Sequence, residues 1–372
     1  NLIPFAYDWR LSNRVAAQAL KALVDRRLAA YRRATNNPLA KVILIAHSMG
    51  GLVSRYWLEV LGGWHDCRAL VTFGTPYRGS LDALNYLANG FKKEKFSITL
   101  LDLSEVVRSC PAAYELLPFY DVLKVGDKWV TPSSIDKLPE GIHRDYLLAA
   151  RDFHADIDRA IEANRRLPEY LAKPYPIFPV VGVHQATLNS AVLDHGKLVP
   201  SELRPDWLAK ELEGGDGTVP RCSASPDDRA DELREIFFAE RHASLQGNEQ
   251  VLTDLVERLA QMQARRVARV RGGVSVPAQP IALRAEALYL PGEPVTLSVE
   301  AEGIERFGVP RARLTGRRLD FATRELPFTK SGDHWTLTLG ELPAGQYALQ
   351  VDSTLGGPGA PTPVHEVIEV AA

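Results

Sequence analysis

The chain has 372 residues and a formal net charge of −2, with 44 Lys and Arg against 46 Asp and Glu. A chain of this length exceeds the size at which one hydrophobic core usually stops growing, so we expect two domains. The hydrophobic fraction of 45% is ordinary for a globular protein. The balanced charge argues against a nucleic-acid partner, and no stretch approaches the roughly 20 apolar residues that would span a bilayer.

The cysteines and the N-terminus bear on the compartment. Cys67, Cys110 and Cys222 are too few and too widely spaced for a disulfide framework or a recognisable zinc site, which favours a reducing compartment such as the cytoplasm. Secretion stays open, because the chain starts with Asn1 and we expect this start to lie inside a domain. No motif implies a metal or an organic cofactor.

The first two thirds of the chain alternate between strand and helix patterns, which predicts a doubly wound, mostly parallel sheet. Continuous apolar runs predict its strands at residues 3–7, 41–46, 69–73, 177–183 and 233–239. The strand at 41–46 is rich in β-branched residues and is expected to be buried on both faces. Apolar residues at spacings of three and four predict helices over about 12–36, 52–60 and 248–270.

Two further segments break this alternation. From about residue 85 to 173 the strand patterns disappear, which predicts a helical cap insertion that shapes a site. After Gly272-Gly273, short alternating segments separated by turns predict an antiparallel β-sandwich of the immunoglobulin-like kind. We therefore predict a catalytic domain over 1–272 and an accessory domain over 274–372. Deleting the accessory domain is expected to leave hydrolysis of a small soluble ester within a few fold of its original rate.

Residues 46–51, Ala-His-Ser-Met-Gly-Gly, follow a predicted buried strand and precede a helix, which is the context of a nucleophile elbow. The elbow holds its serine in a strained turn, so the residues two before and two after Ser48 must be small, as they are. Gly51 lets the helix lie close to the sheet, and the backbone N–H of Met49 would face a developing oxyanion. The pattern predicts an α/β-hydrolase fold with Ser48 as its nucleophile.

Chain order selects the catalytic base. In this fold the acid and then the base follow the serine, each after a later strand. His242 is the one histidine between Asp216 and the Gly272-Gly273 pair. His47, the direct neighbour of Ser48, would project away from it and is expected to be a packing residue with a hydrogen bond. We therefore predict His242 as the base.

The choice of acid is less forced by the sequence. Asp216 is preferred because the glycine-rich block 214–220 predicts a tight turn that exposes its carboxylate. The alternatives, Asp227, Asp228 and Asp231, lie in a polar run that is typical of solvated surface. In the mechanism, Asp216 would orient His242, which takes the Ser48 proton and returns it to the leaving group.

Five blocks stand in a fixed order along the first two thirds of the chain. They are residues 5–10 (FAYDWR), 46–53 (AHSMGGLV), 73–76 (FGTP) with 79–80 (GS), 116–118 (LLP) and 215–220 (GDGTVP). This set resembles the lecithin:cholesterol acyltransferase family, and the first and last blocks together are its most specific part. The resemblance implies acyl transfer from a lipid ester to water or to an alcohol, with Ser48, Asp216 and His242 on the family triad.

The chain departs from the family pattern in two ways. Upstream of the 5–10 block, family members carry a central strand and a loop that supplies a second oxyanion donor. Because this chain starts after both, we expect it to lack that donor and to be slow as given. The animal enzymes also lack an appended β-sandwich, so their substrate and location do not carry over.

The predicted function is that of a serine acyl hydrolase or O-acyltransferase acting on lipid esters through an acyl-enzyme. Transient contact with a membrane or lipid surface and the partner of the sandwich are left open. One alternative is a carboxylesterase or thioesterase for small soluble esters. The lipid-ester and soluble-ester functions differ in whether one apolar segment forms a lipid-facing surface or the core of the cap. Its residues are Leu116, Leu117, Phe119 and Tyr120. A second alternative, a non-catalytic protein that binds through its sandwich, conflicts with the intact triad.

Overall fold

A computed structural model describes residues 2–95, 98–135, 139–172, 175–229, 235–263, 280–301, 303–317, 321–355 and 360–372. The chain separates into two compact units. The first comprises Asn1–Pro179, Leu188–Glu213 and Cys222–Glu235, and the second comprises Val180–Thr187, Gly214–Arg221 and Ile236–Ala372. The predicted domain boundary at Gly272-Gly273 lies outside the described residues and stays a prediction.

The α-helices are α1 Asn13–Thr35, α2 Gly50–Glu59, α3 Leu81–Asn89, α4 Ser104–Arg108, α5 Pro111–Glu115, α6 Arg144–Asn164, α7 Pro168–Ala172 and α8 Glu249–Gln263. The strands that precede α8 are β1 Val42–His47, β2 Cys67–Phe73, β3 Lys92–Lys95, β4 Ile98–Asp102, β5 Leu123–Val125, β6 Lys128–Val130, β7 Ile177–Gly182, β8 Ser190–Asp194, β9 Lys197–Ser201 and β10 Ile236–Phe238. Helix α1 starts and ends where predicted: the Ser12 side chain accepts from Arg14 N, and Asn36 adopts the left-handed conformation.

Strands β1, β2, β7 and β10 form a sheet in that order. The β1–β2 and β7–β10 pairs run parallel, and α2 supplies the crossover between β1 and β2. This confirms the α/β part of the fold prediction. The run at 3–7 forms no strand, contrary to the prediction. Phe5 and Tyr7 instead stack on each other and pack against the core of the first unit.

The burial of β1 also differs from the prediction. Ala46 is the one fully buried residue of the strand, and Ile45 is 52% exposed. β1 lies at one edge of the described sheet, where its outer side has no neighbouring strand to cover it. Strand β2, which has neighbours on both sides, is buried along nearly its whole length.

The cap insertion contains more β structure than expected. β3 pairs with β4 and β5 with β6 as short antiparallel hairpins, and β5 also pairs with β8, giving a second small sheet in the order β6-β5-β8-β9. β3, β5 and β6 are three or four residues long and each contains a lysine, so they show none of the apolar runs that mark a buried strand. The predicted helices are present as α3 to α7.

Beyond α8 the chain forms two β-sheets. Their strands are β11 Ala282–Arg284, β12 Leu288–Tyr289, β13 Pro294–Glu300, β14 Pro310–Arg317, β15 Arg324–Pro327, β16 Thr329–Ser331, β17 His334–Glu341, β18 Gly345–Ser353 and β19 Val364–Val370. The sheet orders are β11-β13-β17-β16 and β12-β19-β18-β14-β15, antiparallel except for the β12–β19 pair. Leu297 and Trp335 of one sheet share a buried core with Tyr347 and Ile368 of the other. This is a β-sandwich, and its immunoglobulin-like kind stays a prediction.

Candidate active site

Ser48 occupies the turn between β1 and α2 with a φ of +52°. Its backbone N–H donates to the carbonyl of Phe73 (2.8 Å), and its own carbonyl accepts from Gly51 N (3.0 Å) and Thr75 Oγ1 (2.9 Å). A positive φ is uncommon for a residue with a side chain and persists only where the surroundings enforce it. The hydrogen bonds of the elbow supply that constraint.

Two glycines follow Ser48, and only the second is required by close packing. A Cβ on Gly51 would lie 2.1 to 2.7 Å from side-chain atoms of Thr75, so α2 can approach the loop after β2 only through a glycine. A Cβ on Gly50 would be in ordinary contact, 3.7 Å from the Cβ of Ala46 and 4.0 Å from the hydroxyl of Tyr7. Burial raises the pKa of Tyr7. Sequence reasoning had not placed this tyrosine beside the elbow.

Met49 directly precedes α2 with helical dihedrals of −54° and −26°. Within the described part of the chain, nothing accepts a hydrogen bond from its backbone N–H. Together with the positive end of the α2 dipole, this donor suits a developing oxyanion. His47 is exposed at the end of β1, which contradicts the expectation that it is a packing residue.

Asp216 and His242 are brought together within the second unit. The distance from His242 Nδ1 to Asp216 Oδ2 is 2.7 Å, and the two side chains are 15% and 1% exposed. The other carboxylate oxygen of Asp216 accepts from the backbone N–H groups of Thr218 (2.9 Å) and Val219 (2.7 Å). With Nδ1 as the donor to this carboxylate, the tautomer that the contact favours has its basic lone pair on Nε2.

The Asp216 loop packs tightly against β7. A Cβ on Gly182 would lie 2.3 Å from the Cβ of Asp216 and 2.9 Å from the carbonyl oxygen of Glu240. The turn itself uses Gly214 and Gly217 at φ values of +79° and +93°. The predicted tight turn is present, but the carboxylate is buried within it instead of exposed.

The three alternative acids have other surroundings. Asp227 is 69% exposed beside Arg78, as expected of solvated surface. Asp228 is only 20% exposed because it pairs with Arg55 at 2.8 Å, so its assignment to solvated surface is wrong. Asp231 lies outside the described residues.

Helix α2 also carries a buried polar network that the sequence reading missed. Arg55 and Glu59, 3% and 2% exposed, are separated by 3.1 Å, and Arg55 donates to the Tyr175 hydroxyl at 2.7 Å. Glu59 further accepts from Tyr170 and Asn164. The apolar spacing of α2 predicts one buried face, whereas the whole helix from Gly51 to Glu59 is buried. Charged residues at i and i+4 are the one signal that could have indicated the pair.

Neither the first nor the second unit, as far as it is described, groups three or more His, Cys, Asp or Glu side chains in a way that could hold a metal ion. Among the described helices, none is both long enough and apolar enough to cross a bilayer.

The family model of lecithin:cholesterol acyltransferase matches residues 1–162. Over these residues the chain is similar to that family. Lysosomal phospholipase A and acyltransferase of Homo sapiens is 31% identical over 119 residues, which cover 30% of this chain and 27% of that protein. Phosphatidylcholine-sterol acyltransferase of Mus musculus is 26% identical over 221 residues, which cover 57% and 47%. The chain thus spans less than half the length of each of these two relatives.

Solved structures with some likeness to the chain include a lipase of Bacillus licheniformis, BlEst2. Its mature form is 15% identical with a TM-score of 0.34, covering 67% of this chain and 74% of the lipase. Its propeptide form is 14% identical with a TM-score of 0.35, covering 97% and 83%. The family match includes Ser48 and ends before Asp216 and His242.

Proposed function

We propose that the protein is a serine-dependent acyl hydrolase or O-acyltransferase that acts on lipid esters, with Ser48 as nucleophile, His242 as base and Asp216 as the orienting acid. The observation that carries the proposal is the left-handed backbone of Ser48 at a strand-to-helix turn. The 2.7 Å Asp216–His242 contact supports the assignment of acid and base. The family of residues 1–162 and the names of the two relatives support a lipid ester as acyl donor.

In the proposed mechanism, Nε2 of His242 removes the proton from Ser48 Oγ as that oxygen attacks the ester carbonyl. The backbone N–H of Met49 stabilises the negative oxygen of the tetrahedral intermediate. His242 then protonates the leaving alcohol, and an acyl-enzyme forms on Ser48. Water or a second alcohol, deprotonated by His242, attacks the acyl-enzyme and releases either a free acid or a new ester. Throughout, Asp216 stabilises the imidazolium form of His242.

A fluorophosphonate probe tests the nucleophile, because only an activated serine reacts with it. The wild-type chain should be labelled at Ser48, and Ser48→Ala should lose the label. Ser109→Ala is a matched control, since Ser109 is exposed and its hydroxyl donates to the backbone carbonyl of Val106. Wild-type protein that folds but takes up no probe would refute the proposal.

A substrate comparison tests the lipid part of the proposal. Leu117 and Tyr120 are buried in the cap core, whereas Phe119 is 36% exposed, so most of this apolar segment serves packing. We expect release of fatty acid from phosphatidylcholine vesicles, or of an acylated alcohol when one is supplied. Probe labelling combined with cleavage of only small p-nitrophenyl esters would favour the esterase alternative.

A further inference from the structure

We propose that the β-sandwich forms the support of the acid–base half of the active site, with Arg241 and Gln185 as positioning residues for His242 and Asp216. The inference rests on the proposed function. It concerns contacts within the second unit, which contains residues 180–187, 214–221 and 236–372. Residues that flank the proposed acid and base are hydrogen-bonded to sandwich strands on both sides.

Arg241, the residue before His242, is bound at three points to the sandwich. Its guanidinium pairs with the carboxylate of Glu366 on β19 and donates to the carbonyls of Leu283 and Ala285 at β11. The Arg241 and Glu366 side chains are only 14% and 4% exposed. A planar guanidinium that satisfies a carboxylate and two carbonyls at once permits one orientation of the chain at this point.

Glu240 makes a second attachment to the same strand. It is fully buried and accepts from the backbone N–H of His365 (2.6 Å) and from the His365 ring nitrogen Nδ1 (2.9 Å). The hydrogen bond to the Glu240 carboxylate raises the pKa of His365. Asn248, directly before α8, donates to Oε2 of this carboxylate (3.2 Å), the oxygen that also contacts the His365 ring. The two residues that lead into His242 are therefore both held by β19.

Gln185 attaches the Asp216 loop to the sandwich from the other side. Its backbone N–H donates to the carbonyl of Gly215 (3.0 Å). Its side-chain amide, 2% exposed, donates to the carbonyl of Ile281 (3.0 Å) and accepts from the N–H of Leu283 (3.0 Å). Through Gln185, these two hydrogen bonds connect the backbone at β11 to the loop of Asp216. Since Arg241 also binds the backbone at β11, this strand is linked to the loops of both the acid and the base.

These attachments have a consequence for catalysis. The Asp216–His242 hydrogen bond of 2.7 Å joins two separate loops, and a displacement of about 1 Å in such a group can cost about 10²-fold in rate. A buried ion pair such as Arg241–Glu366 adds little net stability but restricts which arrangement is adopted. The sandwich is therefore not a separable accessory module, in contrast to the sequence-based expectation.

The test uses the full chain with Arg241→Met and Glu366→Leu combined, so that neither buried charge is left without its partner. We expect kcat for a soluble p-nitrophenyl ester to fall about 10- to 100-fold while KM stays unchanged. The downfield NMR signal of the His242 Nδ1 proton should broaden or disappear. Lys330→Met is the matched control, because it removes an exposed sandwich ion pair to Glu305 and should change neither readout.

The outcomes separate this inference from the proposed function. If wild-type protein takes up no fluorophosphonate at Ser48, the proposed function fails. If the wild type is labelled and the double variant matches it in kcat and in the His242 signal, only the positioning role fails. Should the double variant not fold, Arg241→Lys decides, because lysine keeps the charge beside Glu366 but cannot reach the carbonyls as well. An unchanged kcat in Arg241→Lys would then overturn the inference.

Discussion

Gly182→Ala places one methyl group where β7 meets the loop of the proposed acid. The added Cβ would lie 2.3 Å from the Cβ of Asp216, whereas carbon atoms pack at about 3.5 Å or more, so the loop must retreat by about 1.2 Å. Overpacking of this kind costs about 1–3 kcal/mol of unfolding free energy. A shift of that size at the orienting carboxylate should lower kcat by about 10²-fold.

Urea unfolding and the rate of p-nitrophenyl ester hydrolysis measure the two effects of Gly182→Ala. Gly247→Ala is the matched control, since Gly247 has no atom within 4 Å of an added Cβ and no positive φ. The control should keep both unfolding midpoint and kcat, or be slightly more stable through its unfolded state. Equal midpoints and equal rates in wild type and Gly182→Ala would refute the close approach of the Asp216 loop to β7.

Three further predictions follow from single side chains. Gly51→Ala should clash with Thr75 and lower both the thermal midpoint and the rate of fluorophosphonate labelling, and unchanged labelling would contradict the elbow packing. Asp216→Asn should leave the circular dichroism spectrum intact while kcat falls by about 10⁴; a loss under tenfold would point to another acid. Burial lowers the pKa of His154 to about 4 from 6.5, so the folded state stays neutral where the unfolded chain binds a proton. Stability present above pH 6.5 should therefore be lost toward pH 4, by up to about 1.4 kcal/mol per pH unit. In His154→Gln the amide can still donate to the Glu115 carbonyl, so urea titrations should show that its unfolding free energy no longer falls between pH 6.5 and pH 4. If the variant and the wild type had the same pH profile, the assignment of this effect to His154 would be wrong.

The sequence determined the features that depend on local pattern. Continuous apolar runs predicted the strands that became β1, β2, β7 and β10, because a strand that is buried on both faces reads as an apolar run. Apolar residues at spacings of three and four predicted α1, because a helix that buries one face places an apolar residue there at every turn. The small residues around Ser48 predicted the elbow, since only small side chains fit that turn. Chain order reduced the candidate bases to His242, and the structure places it 2.7 Å from the acid that the sequence preferred.

Tertiary structure alone decided what depends on residues distant in sequence. Asp216 is 1% exposed, and not open to solvent as predicted, because Gly182 of β7 has no side chain and its loop packs closely there. Gly182 and Asp216 lie 34 positions apart in the sequence. Asp228 looks like surface in its polar run but pairs with Arg55, 173 positions away. The attachment of Arg241 to Glu366 spans 125 positions. Side-chain type and local spacing do not reveal which distant residue a charged side chain pairs with, because that pairing is set by how the strands and helices pack.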